Sequence, residues 1–163
     1  MITGIQHISY AVSDVEVARR FFTETLGLQA TPVRELSGER AEKMFGLPDL
    51  RMRISNILLP DNGNIELTEY LSPKGKDIDL TPSNTGLAHL AFTVNNLLQV
   101  YEELCEREVH FVHAPLWAKE GALKGWGFCR CFGPDGITIE FMEAPEGVDL
   151  EPATGFPLED QPQ

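Results

Sequence analysis

The chain has 163 residues, 42% of them hydrophobic and 23% charged, enough for one ordinary domain or two small modules around a packed core. A net charge of −12, from 25 acids against 13 bases, repels nucleic-acid phosphates and anionic membrane surfaces, and no apolar run approaches the roughly 18 residues that span a bilayer. Nucleic acid and membrane are thereby excluded as partners. The start, Met1-Ile2-Thr3-Gly4, has no basic segment leading into an apolar run, and the odd set Cys105, Cys129 and Cys131 suits reduced thiols, so a cytoplasmic protein is expected.

In chain order, the alternating segment from Gly4 to Val12 predicts a strand with His7, Ser9 and Ala11 on one face. Ser13 stands three residues before Glu16, a capping-box spacing, and Val17, Phe21 and Leu26 suggest a helix that Gly27 stops. Residues 39–50 are an insertion with room for a short helix. A β-rich run from Met52 to Leu59, the turn Pro60-Asp61-Asn62-Gly63 and a strand through Ile65, Glu66 and Leu67 complete a first unit, predicted as 1–70. Residues 71–85, with Pro73, Gly75, Pro82 and Asn84, form a linker.

The pattern then returns. Gly4-Ile5-Gln6-His7-Ile8-Ser9-Tyr10 reappears as Gly86-Leu87-Ala88-His89-Leu90-Ala91-Phe92, 82 residues later. Asn96 stands three before Gln99 and opens a helix that reaches about Glu108, with Leu97, Val100, Tyr101 and Leu104 as its apolar stripe. A loop, Pro115 to Gly127, carries Trp117 and Trp126 as candidate substrate contacts, beside Lys119 and Lys124. The strand from Trp126 to Phe132, the turn at Pro134-Asp135 and the strand through Ile139, Glu140 and Phe141 repeat the end of the first unit at an offset of 74. The second unit covers 86–144, and an acidic, Pro-rich tail follows at 145–163.

Each unit is therefore a βαβββ module with His on its first strand and Glu on its last. Strand alternation places His7, Glu66, His89 and Glu140 on the faces opposite the apolar, helix-covered ones. A lone strand His is usually a satisfied polar residue and a lone strand-end Glu usually solvated. Two of each at equivalent places of a duplicated module point instead to one divalent ion. Nitrogen and oxygen donors without thiolate suit Zn, Ni, Co, Fe or Mn, with coordination positions left for substrate oxygens.

On Gly-Ile-Gln-His-Ile-Ser-Tyr, Gly-Leu-Ala-His-Leu-Ala-Phe and Gly-Pro-Asp-Gly-Ile-Thr-Ile-Glu-Phe, residues 2–144 resemble the vicinal oxygen chelate superfamily, which contains glyoxalase I, methylmalonyl-CoA epimerase, fosfomycin-resistance proteins and extradiol dioxygenases. The resemblance implies an α+β fold, two tandem βαβββ modules forming a cupped, incomplete barrel around a metal site, commonly in a homodimer. The full set His7, Glu66, His89 and Glu140 is similar to that of bacterial glyoxalase I. It implies an isomerase, epimerase or lyase that removes a proton beside the carbonyl of a small, chelated substrate, a thioester being one candidate, with Glu140 and then Glu66 as catalytic bases. The alternatives are an Fe(II) extradiol-type dioxygenase using His7, His89 and Glu140, and a non-catalytic binding protein for a small ligand.

Overall fold

The computed structural model describes residues 1–60 and 62–148. Asp61 of the first turn and the expected tail beyond residue 148 lie outside the described residues. The chain divides into two compact units between Asn84 and Thr85.

The first unit runs β1 (Ile8–Ala11), α1 (Val15–Arg20), β2 (Gln29–Ala30), β3 (Arg34–Ser37), α2 (Glu39–Phe45), β4 (Arg51–Leu58) and β5 (Asn64–Ser72). Its sheet has the order β1-β5-β4-β2, with β3 also paired to β4, so β2 and β3 act as one edge strand interrupted at Thr31. At that break Thr31 still serves β4: its hydroxyl accepts from the Asn56 amide at 3.0 Å and its carbonyl accepts from Ser55 at 2.8 Å. The second unit runs β6 (Leu90–Thr93), α3 (Leu97–Glu106), β7 (Leu116–Trp117), β8 (Gly127–Phe132) and β9 (Thr138–Glu143), in the order β6-β9-β8-β7. The fold is α+β, built from two tandem βαβββ modules. In each the first strand lies parallel to the last, which requires a helical crossover.

Burial follows from the period of each element. In the first module Val15, Ala18 and Phe22 line the buried side of α1 and its π-helical extension (Phe21–Thr25), against Ile57, Ile65 and Leu67 of the sheet. That stripe differs from the expected one, because Val17 is 49% exposed. The cap differs too: Asp14, one residue after Ser13, accepts from the amides of Glu16 and Val17 at 2.8 and 3.0 Å. The Val12 amide still bonds Thr68 at 2.8 Å, which keeps the backbone extended through Ser13 and moves the helix start by one. Gly27, at φ 74°, takes the left-handed position that ends the extension. In α3 the expected cap is present, Asn96 accepting from Gln99 at 3.0 Å, and Leu97 and Leu104 are buried; the helix ends at Glu106 rather than Glu108.

The insertion is helical. Ala41 of α2 packs with Leu50, Met52 and Ile54, alongside Leu36, Phe45 and Tyr70. By the pairing Ile54↔Thr68 and Asn56↔Glu66, this cluster sits on the face of the first sheet that α1 leaves uncovered, further along the strands from Glu66.

Both hairpins close alike. The Leu59 amide donates to the Gly63 carbonyl at 3.0 Å, and Gly133 donates to Ile137 at 2.8 Å, the same bond 74 residues on. Asn62 and Gly136, also equivalent, both adopt positive φ, 67° and 77°. The turns thereby set the registers Leu58↔Asn64 and Phe132↔Thr138 that aim the following glutamates.

Candidate functional site

His7 and His89 each immediately precede the first strand of their module rather than lying within it. Ser9 pairs with Glu66 across β1 and β5, and Ala91 pairs with Glu140 across β6 and β9. Because side chains alternate, His two residues before these partners shares their face. The outcome is the same in both modules: His7 Nε2 lies 3.8 Å from Glu66 Oε1, and His89 Nε2 lies 3.5 Å from Glu140 Oε2. The carboxylates are nearly buried, with side-chain exposures of 15% and 10%, under imidazoles exposed by 40% and 45%.

A buried carboxylate is costly without a compensating charge or hydrogen bonds. Glu140 has one such partner that the sequence reading missed. Arg130 Nε donates to Glu140 Oε1 at 2.9 Å from directly across the hairpin, so each oxygen of Glu140 has its own neighbour. Counting outward from the turn places Arg130 opposite Glu140, which is the signal that could have found it. The equivalent residue of the first module, 74 earlier, is Asn56, opposite Glu66. Asn56 instead donates to Asn64 at 2.8 Å and accepts from Arg34 at 3.5 Å, while Asn64 donates to the Gln6 carbonyl at 2.8 Å and so braces the peptide before His7. Gln6 Oε1 contacts His7 Nδ1, the far side of the ring from Glu66.

The donor chemistry fits a divalent ion. Two N or O donors about 2.1 Å from one ion lie about 3.0 Å apart at a right angle and about 3.4 Å apart at the tetrahedral angle, a spacing that the 3.5 Å of His89 and Glu140 approaches more nearly than the 3.8 Å of His7 and Glu66. Among the described residues no three His, Cys, Asp or Glu side chains gather closely enough to hold an ion, so each module presents a pair of donors.

Trp117 pairs with Gly127, and a Cβ on Gly127 would meet Trp117 Nε1 at 2.8 Å and Leu97 Cδ2 at 2.9 Å. The indole therefore packs beside α3, on the opposite face of the sheet from Glu140, where the missing side chain of Gly127 makes room. Trp126 is buried, its backbone carbonyl accepting from Ala118 at 2.9 Å. Packing is the role visible for Trp126, while Trp117 packs beside Gly127 with 48% of its surface exposed.

Other titratable groups are settled by their surroundings. Burial pushes the Cys129 thiol up to about 12, with smaller contributions from Cys131, Cys105 and Glu140, and burial pushes Cys131 up to about 11. Both stay protonated and behave as small apolar residues. Glu69 and Glu143 point away from the His–Glu pairs. Glu69 accepts from the Val15 amide at 3.2 Å and Glu143 from the Leu97 amide at 2.7 Å, each at the first residue of its module's helix.

The model of the Glyoxalase/Bleomycin resistance protein/Dioxygenase superfamily matches residues 4–141. The chain belongs to this superfamily. Its members commonly bind a divalent metal and include epimerases and glyoxalases. A 2-epi-5-epi-valiolone epimerase from Actinomyces sp is 27% identical over 155 residues, which cover 93% of this chain and 85% of that protein. An uncharacterised protein of Bacillus subtilis (strain 168), YwkD, is 28% identical over 143 residues, covering 88% of this chain and 98% of that one. The crystal structure of a glyoxalase family protein from Bacillus cereus superposes with a TM-score of 0.76 at 23% identity, over 89% of this chain and 96% of that one, a likeness of fold. Among the described residues no helix is long and apolar enough to cross a membrane.

Proposed function

We propose that this superfamily member is a metal-dependent isomerase or lyase of the epimerase type, which moves a proton at the carbon beside a carbonyl of a small substrate. The observation that carries the reading is the duplicated His–Glu pair, 3.8 Å in one module and 3.5 Å in the other. In this reading His7, Glu66, His89 and Glu140 together hold one divalent ion, Zn, Ni, Co, Fe or Mn. When bound, the ion stabilises the negative charge that develops on the substrate's carbonyl oxygen as the proton leaves.

The residues of the chain supply the rest. One carboxylate takes the proton from the α-carbon, and the other returns a proton on the opposite face, which inverts the centre. Glu140 and Glu66 fill these roles because both are nearly buried, and a carboxylate in a dry site meets little competition from water. The imidazoles orient the two acids. The relation to an enzyme named 2-epi-5-epi-valiolone epimerase favours epimerisation over lyase chemistry. A ring-cleaving dioxygenase would need only His7, His89 and Glu140. The pairing of Glu66 with His7 favours the four-donor reading over it. A homodimer in the cytoplasm, with a small molecule as its other partner, completes the proposal.

The test is solvent exchange. Metal-loaded protein in deuterium oxide is expected to place deuterium at the α-carbon of 2-epi-5-epi-valiolone, or of a compound in a panel of 2-oxo compounds and acyl thioesters, and E66Q or E140Q is expected to slow this by at least about a hundredfold. Absence of exchange across the panel, or full exchange in both variants, contradicts the reading.

A further inference from the structure

The His–Glu pairs of the two modules are not equivalent. Glu140 Oε1 receives Arg130 Nε at 2.9 Å while Oε2 lies 3.5 Å from His89 Nε2, so the carboxylate is held at one oxygen and offers the other beside the imidazole. Glu66 faces Asn56 across its own hairpin, and the Asn56 amide is turned to Asn64 at 2.8 Å. Among the described residues the His7 imidazole is the one basic side chain within ion-pair distance of Glu66. A charge-assisted bond from a guanidinium is short, directional and about twice as strong as a neutral one. It fixes the rotamer of the carboxylate that receives it.

We infer that Arg130 is a positioning residue for Glu140 as a metal ligand: by occupying Oε1 it fixes the carboxylate so that Oε2 alone is presented beside His89. The sequence points the same way. Arg130 and Asn56 occupy equivalent places of the repeat, so the guanidinium is present in one copy and absent from the other. Its side chain is 40% exposed and forms no part of the apolar core, which separates its role from packing. The inference rests on the metal reading above, and it gives Glu140 a fixed orientation within it.

Co(II) binding to the full-length protein, measured by calorimetry at fixed pH and salt, tests it. R130N, which makes the second module resemble the first, is expected to weaken Co(II) by about tenfold or more, as losing the partner of a metal-ligating carboxylate generally does. Introduced on top of E140Q, the same change is expected to alter affinity less than twofold, because the residue it steers is already lost. R130K, which keeps the charge but not the planar fork, is expected to fall at least about threefold and serves if R130N does not fold. An R130N or R130K affinity within twofold of the parent overturns the inference, as does an additive loss in the E140Q background. A parent protein that takes up no Co(II) sinks the metal reading itself, a distinguishable failure.

Discussion

Tyr10 stands on the helix-covered face of β1, paired with Leu67, and its hydroxyl is buried without a hydrogen-bond partner among the described residues. Burial pushes its ionisation above the usual range, so the hydroxyl stays neutral and unsatisfied. The equivalent residue of the second module is Phe92, which pairs with Phe141 and carries no polar side-chain atom. An orphaned hydroxyl costs roughly 1–3 kcal/mol of desolvation. Y10F is therefore expected to unfold at a higher urea concentration, by about 1 kcal/mol in stability. A loss of stability in that variant would mean that Tyr10 has a partner in the working protein. At this scale the metal-competent residues were legible, because His7, Glu66, His89 and Glu140 recur at fixed offsets and alternation alone chooses their face. The packing of Trp117 was not, since it depends on the pairing Trp117↔Gly127 across a long loop, which no local pattern reveals.

At the scale of elements, the last strand of each module anchors its helix. Glu69 bonds the first amide of α1 and Glu143 the first amide of α3, residues equivalent in both strand and helix. A carboxylate at a helix N-terminus satisfies an otherwise unpaired donor and opposes the positive end of the helix dipole. The bond also ties the crossover helix to the strand that carries the site glutamate, three residues away. E143A is expected to cost about 1.5–3 kcal/mol in urea unfolding, the range for a hydrogen bond to a charged group. E69A is expected to cost at least as much, because Arg53, 3.1 Å from Glu69, loses a partner as well. Losses below about 0.5 kcal/mol would remove this anchor from the account. The duplication of Glu69 and Glu143 was visible in the sequence, whereas their purpose needed the helix start. Ser13 and Asp14 both carry a capping oxygen, and the hydrogen bond from Val12 to Thr68 decides between them.

For the whole molecule, a repeat of a module with one imidazole and one carboxylate explains how a single chain comes to carry four donors of matched chemistry. The fold was readable because the repeat, the hairpin turns and the crossover helices all agreed, the insertion at α2 included. The reaction was less so, because superfamily members place different chemistry on one scaffold, and contacts such as Arg130 to Glu140 belong to no motif. What the account requires above all is that the two His–Glu pairs serve a common ion. The most direct measurement is the stoichiometry of Co(II) bound to the full-length protein, compared with H7A and H89A. The account predicts one ion per chain in the parent protein and a loss of affinity of at least about tenfold in either variant. Two ions per chain, with H7A and H89A each abolishing one and sparing the other, would show that the pairs act separately and would contradict it.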